Sequence, residues 1–184
     1  DVLWVNGGAV VTTSTGQTVN SGTLPAGDLN GTTNGEGCWI GLLFTAAATN
    51  AAVISNATVT YTNSAGTGSR TATLANLVGA QIPATPTIGT IVWFQLAAGD
   101  TGVRSIQTLT LGTSLVTGSV SLLIARPLAT YSAAAANIGA GPYRPMDPGI
   151  RLYNGTCALI AYQASATTAT TITGSIVVQE RILA

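Results

Sequence analysis

Hydrophobic and polar residues alternate with a period of two along much of this chain, and almost nowhere with the period of a helix. The cleanest case is Ala57-Thr58-Val59-Thr60-Tyr61-Thr62, which puts Val59 and Tyr61 on one face and three threonines on the other. Asn63-Ser64-Ala65-Gly66-Thr67-Gly68-Ser69 follows as a glycine-bearing turn, and Arg70-Thr71-Ala72-Thr73-Leu74 returns, so the pattern predicts a hairpin. Further strands are predicted at residues 39–45, 91–96, 103–111, 119–125, 158–163 and 171–182. Ile91-Val92-Trp93-Phe94-Gln95-Leu96 is apolar without alternation. It reads as a strand buried on both faces, or one covered by a neighbouring subunit. Threonine suits these strands because its β-branched side chain fits the pleat while its hydroxyl faces water. Several short strands at regular spacing indicate an all-β fold, a sandwich or barrel filled by Leu, Ile, Val, Trp and Phe.

Two stretches lack the pattern. Residues 1–36 are rich in Gly, Thr and Asn, and only Val2-Leu3-Trp4-Val5 is apolar enough to dock. That predicts an extended N-terminal arm, ordered by contact rather than by a core of its own. Residues 130–149 combine an alanine run at 133–136 with Pro142, Pro145 and Pro148. A long connection of this kind is either functional or an intersubunit element. The expected organisation is an arm at 1–36 and a β-sandwich domain at 37–184 that carries the Pro/Ala-rich loop.

Composition changes the picture of the surface. Only 7% of residues are charged although 46% are hydrophobic, and the chain has neither lysine nor histidine. Ordinary soluble domains carry about a quarter charged residues, so the surface here must be mostly Thr, Ser, Asn, Gln, Gly and Ala. The net charge is zero, which favours association over colloidal separation. Arg70, Arg104, Arg126, Arg144, Arg151 and Arg181 are scattered singly. Neither the cation cluster of a nucleic-acid binder nor a polybasic membrane contact is therefore expected. The most apolar stretch, residues 38–54, is broken by Thr45, Thr49, Asn50 and alanine runs. It falls short of the roughly 20 apolar residues a spanning helix needs. An aromatic content of 5% also argues against the girdles of an outer-membrane barrel. Cys38 and Cys157 sit in apolar runs and are expected as buried, unpaired thiols. A disulfide between them is the alternative in a secreted chain.

Candidate chemistry is sparse. Without histidine there is no Ser–His or Cys–His nucleophile, and without lysine no Schiff base. Asp28, Glu36, Asp100, Asp147 and Glu180 are the internal acids, and they read as loop residues more than as a glycosidase pair. The loop from Asp28 to Glu36 spaces oxygen donors as calcium loops do. Thr33 stands where an EF-hand has glycine and Trp39 where it has a bidentate Glu, so a turn-forming polar loop is the expectation. Gly99-Asp100-Thr101-Gly102 predicts an Asx-turn entering a strand, with Arg104 positioned to pair with Asp100 or with a neighbouring subunit. Arg126-Pro127 marks a strand end. Asn30-Gly31-Thr32, Asn56-Ala57-Thr58 and Asn154-Gly155-Thr156 are glycosylation acceptors only in a eukaryotic secretory pathway. No catalytic residue, metal or cofactor is expected, and the chain does not read as an enzyme.

Several segments occur in a familiar order. They are Tyr61-Thr62-Asn63 with Arg70-Thr71-Ala72-Thr73-Leu74, then Gly99-Asp100-Thr101-Gly102-Val103-Arg104-Ser105-Ile106, Ala125-Arg126-Pro127, and Arg151-Leu152-Tyr153-Asn154. The tail Ala166-Thr167-Thr168-Ala169-Thr170-Thr171 with Gly174 completes the set. Over about residues 57–180 the chain resembles a group of tailed-bacteriophage virion proteins similar to capsid decoration or cement proteins. The members are often acidic after the Leu-Tyr pair, where this chain has Asn154. The resemblance implies virion structure and carries no active residues.

The expectation is thus an antiparallel β-sandwich, jelly-roll-like, assembled in the host cytoplasm as a homo-oligomer, a trimer. It would bind the major capsid protein on the capsid exterior, at joints between shell subunits. The residues expected at interfaces are Trp4, Val5, Arg104, Arg126, Tyr143, Arg144 and Tyr153. Two other readings are a tail-fibre or spike module binding host glycan, with Tyr143 and Tyr153 stacking on sugar rings, and a major capsid subunit. The absence of a basic arm for packaged genome counts against the latter.

Overall fold

Among the described residues, eight strands form one hydrogen-bonded sheet in the order β1-β8-β3-β6-β5-β4-β7-β2, with every pairing antiparallel. The strands are β1 (Val2–Gly7), β2 (Gly16–Thr18), β3 (Trp39–Ala46), β4 (Thr58–Asn63), β5 (Arg70–Ala75), β6 (Ile91–Gln95), β7 (Val103–Thr110) and β8 (Ser119–Ala125). The computed structural model describes residues 1–75, 81–128, 152, 153 and 155–157, and no helix occurs among them. The all-β expectation therefore stands. The strands expected at 158–163 and 171–182 and the loop at 130–149 lie outside the described residues.

The hairpin forms as the alternation predicts, with Val59 opposite Ala72 and Thr60 opposite Thr71. Val59, Tyr61, Ala72 and Leu74 point into the core, and the threonines between them point out. β6 is buried on both faces as expected: Ile91, Val92 and Phe94 are all buried. One cluster holds Ile40, Leu42, Phe44, Val92, Phe94, Val120, Leu122 and Ile124 from one half of the sheet. The same cluster holds Val59, Tyr61, Leu74, Val103, Ile106 and Leu109 from the other half.

For both halves to share a core, the sheet must curl over its inner face. Its leading ends show the curl. β3 and β7 are separated by three strands in the sheet order, yet Glu36 bridges Gly102 just ahead of them. Gly37 N–H donates to Thr101 O at 2.9 Å and Val103 N–H to Gly35 O at 2.9 Å. This close crossing explains two glycines. A Cβ at Gly102 would collide with the Gly35 carbonyl oxygen, and one at Gly35 with the Val103 carbonyl. Gly35 also holds φ +75°, a left-handed conformation that side chains disfavour.

The first 36 residues are more embedded than an arm. β1 pairs with β8 and β2 with β7, so this segment supplies the two outer strands of the sheet among the described residues. Leu24 and Asp28 are buried, and Leu3 and Trp4 pack against the core. Backbone pairing holds the segment to the chain's own sheet. That is why its weak hydrophobic pattern did not mark it as strand.

Candidate functional site

The sharpest polar node is Asp100, at the turn before β7. Its side chain is 5% exposed and collects three donors. Arg70 Nε–H donates to Oδ2 at 2.9 Å, Asn63 Nδ2–H donates to Oδ1 at 2.8 Å, and the Tyr61 hydroxyl donates to Oδ2. Arg70 also donates to Ala98 O at 3.2 Å, and Tyr61 Oη accepts from Ala97 N–H at 2.9 Å. The Arg70 hydrogen bond, aided by those of Tyr61 and Asn63, outweighs burial and holds the Asp100 carboxyl down at about 2. Burial, and then the Asp100 carboxylate, push Tyr61 up to about 12. The expected partner Arg104 is not in this node; Arg70 takes the place. Sequence proximity favoured Arg104, but the hairpin returns Arg70 to the Asp100 turn. Tyr61 and Asn63, two apart on one face of β4, were the readable sign of a polar cluster there.

Asp28 closes its own loop. Oδ1 accepts from the N–H of Asn30 at 3.0 Å and of Thr32 at 2.6 Å, and Oδ2 accepts from Thr32 Oγ1 at 2.7 Å and Glu36 N–H at 3.0 Å. Burial would raise its pKa, but the bonds from Thr32, Glu36 and Asn30 outweigh it and lower it. Both carboxylate oxygens serve the loop, as the turn-forming reading expects. Among the described residues no group of three or more His, Cys, Asp or Glu could hold a metal ion.

A third node joins Asp1, Arg126 and Tyr153. Arg126 Nη2 lies 3.4 Å from Asp1 Oδ2, with both side chains buried. The Arg126 guanidinium sits 5.1 Å from the centroid of the Tyr153 ring, and the Tyr153 hydroxyl donates to Leu29 O at 3.4 Å. Cys157 N–H donates to Asp1 Oδ1 at 3.1 Å, and Val2 N–H to Cys157 O at 2.9 Å. This node ties the segment around Tyr153 to the start of β1. Cys38 is buried and free, and burial pushes its thiol up to about 12. Cys157 is also free but exposed, against the expectation of a buried thiol.

The outer face of the sheet is divided in two. Residues opposed across antiparallel strands share a face. Across β5-β4-β7-β2 one row reads Thr71, Thr60, Thr108, Thr18. Across β1-β8-β3-β6 a row reads Val5, Leu123, Gly41, Trp93. Leu43, Ile91 and Trp39 lie on the same side as this second row. A Cβ at Gly41 would stand 2.9 Å from both the Leu123 and Trp93 side chains, so its neighbours close over it. Trp39 and Trp93 meet edge to face at 5.9 Å, and Trp39 is 43% exposed and Val5 58%.

Of the residues expected at interfaces, Val5 and Arg104 are exposed, while Trp4 turns inward onto the core. Arg126 is buried and Tyr153 half-buried in their own node, which leaves that ring little face for sugar stacking. Tyr143 and Arg144 lie outside the described residues. Trp39 was not among the residues expected at interfaces, although its place at the start of the run Trp39-Ile40-Gly41-Leu42 was the available sign.

No helix among the described residues is long and apolar enough to cross a membrane. In comparison with known proteins, the chain matches no family model, no curated protein and no solved structure.

Proposed function

We propose that this chain is a structural protein of a bacteriophage virion, which decorates the capsid exterior and stabilises it at joints between shell subunits. The observation that carries the reading is the divided outer face. One half is hydroxylated, and the other presents Trp39 and Val5 to solvent beside buried Leu123 and Ile91. Apolar area removed from water contributes about 25 cal/mol per Å², and repetition over many symmetry-related contacts makes a modest patch effective against internal pressure. The uncharged, threonine-rich remainder packs with little desolvation cost. The resemblance of residues 57–180 to decoration proteins supports the same reading. In it the chain acts as a trimer bound to the major capsid protein, with no enzymatic role, and the curled sheet closes as a jelly-roll-like sandwich.

The test is to add purified chain to undecorated capsids and to count copies on the source particle. Saturable binding and many copies per shell are expected. Failure to trimerise and to bind shells overturns the proposal, and a few copies at the tail would favour the spike reading.

A further inference from the structure

Odd- and even-numbered strands alternate across the antiparallel sheet, so β1, β3, β5 and β7 start at one end of it and β2, β4, β6 and β8 at the other. The described charges are gathered at the first end. Asp1 faces Arg126 beside the start of β1, and Asp28 and Glu36 precede β3. Arg70 opens β5, and Asp100 and Arg104 flank the start of β7. The connections at the other end, residues 8–15, 47–57, 76–90 and 111–118, contain no charged residue. We propose that this uncharged end docks on the shell protein, against a patch that is itself uncharged and apolar, while the charged end faces solvent. This orientation rests on the decoration reading.

The described parts of the four connections are tied into one surface. Leu115 N–H donates to Val11 O at 2.8 Å and Gly112 N–H to Ser14 O at 3.2 Å, which joins the first connection to the last. Thr49 and Thr117 stand hydroxyl to hydroxyl at 2.8 Å. Ala48 N–H donates to Pro86 O at 3.0 Å, and Ile54 and Ile82 form an isolated bridge. On this framework Val10, Val53, Ile88 and Val116 are each at least half exposed. At the charged end only Leu29 is comparable among the described residues, since Val5 and Trp39 belong to the apolar half-face.

Two residues of the uncharged end also carry backbone strain. Val116 holds φ +67° and Thr85 φ +46°. β-branched residues rarely adopt such a backbone, and it persists only where the surroundings over-determine it. Here Val116 N–H donates to Ser114 Oγ at 3.0 Å, between the bonds of Leu115 and Thr117, so an exposed valine is fixed in place.

The chemistry of this end selects its partner. It offers no counter-ion, so a charged partner surface would be desolvated unpaired, whereas an uncharged apolar surface avoids that cost. Lipid fits poorly, because no aromatic or cationic side chain lies in these connections to anchor in a headgroup layer. A sugar would find no aromatic face to stack on. Pinned connections lose little freedom on docking, which favours affinity from a modest area. In the decoration reading copies join through the apolar half-face on the side of the sheet, which leaves this end for the shell.

The experiment adds the full chain to undecorated capsids and compares wild type, Val53→Asp/Ile88→Asp and Arg104→Gln. The two aspartates are expected to weaken shell binding by about a hundredfold or more. Oligomeric state and melting temperature should be kept, because both positions are exposed. Arg104→Gln, at the charged end, is expected to bind as the wild type does. Hydrogen exchange of the docked wild type gives a readout that needs no variant. Amides are expected to slow at residues 8–15, 47–57, 81–90 and 111–118, and not at 28–36 or 99–104. Binding that survives both aspartates, or protection at the charged end instead, overturns the docking surface and leaves decoration standing. A wild type that binds no shell overturns the decoration reading itself, and this surface with it.

Discussion

The two halves of the sheet share a core but dress their outer faces in opposite ways. Across β5-β4-β7-β2 the outward residues are threonines in register, with Thr60 and Thr108 hydroxyl to hydroxyl. Across β1-β8-β3-β6 they are Val5, Leu123, Gly41 and Trp93, with Trp39 edge-on to Trp93. The backbone geometry is the same on both sides; only the side chains at outward positions differ. Low charge in this chain is therefore two properties. One half stays hydrated without charges, because hydroxyls satisfy water as well as each other. The other half is apolar on both faces, and burial of Leu123 and Ile91 shows how much of it already avoids water.

The sharpest way to test whether the halves are one cooperative unit is Phe44→Ala, in the core common to both. A loss of about 3–5 kcal/mol is expected. Tryptophan fluorescence and far-ultraviolet circular dichroism should report the same denaturant midpoint. Separate transitions would break the shared-core account.

Next in size is Asp100→Asn, which removes the charge that Arg70, Tyr61 and Asn63 converge on in the threonine half. A loss of about 2–4 kcal/mol near neutral pH is expected by thermal or urea unfolding. The acid response has a defined sign. The folded Asp100 carboxyl is held near 2, below its ordinary 3.8, so its contribution is present above about pH 4. That contribution is lost as pH falls from about 4 towards 2, and Asp28, also lowered, acts in the same sense. Asp100→Asn should flatten this limb without abolishing it, measured as stability against pH.

Trp39→Thr carries the threonine dressing onto the apolar half. It should lose about 0.5–1.5 kcal/mol from the edge-to-face contact and weaken self-association more than it weakens folding. The smallest effect is expected from Thr71→Val at an exposed position, within about 0.5 kcal/mol either way. Equal effects of the two substitutions on association would erase the distinction between the halves.

Much of this fold was legible because burial on one face or two writes itself into the period of the sequence. β4 and β5 alternate, whereas β3, β6 and β8 are runs such as Val120-Ser121-Leu122-Leu123-Ile124, and both kinds read correctly. β1 and β2 were not legible as strands. Gly16-Gln17-Thr18 has no apolar face, and only the backbone of β7 makes it a strand. Asp100 was legible as a turn residue, but its partner was not, since Arg70 arrives through hairpin geometry and Arg104 is turned away by a slip in register. The division of the outer face was half visible. The continuous apolar runs were plain, but their alignment into one row depends on a strand order that no local pattern encodes.

The central claim is that the apolar half-face is the assembly surface, and sedimentation equilibrium of the wild-type chain beside a Val5→Thr/Trp39→Thr variant tests it most directly. The account predicts a wild-type trimer and a folded, monomeric variant. A wild-type monomer at every concentration, or a variant that assembles as the wild type does, would contradict it.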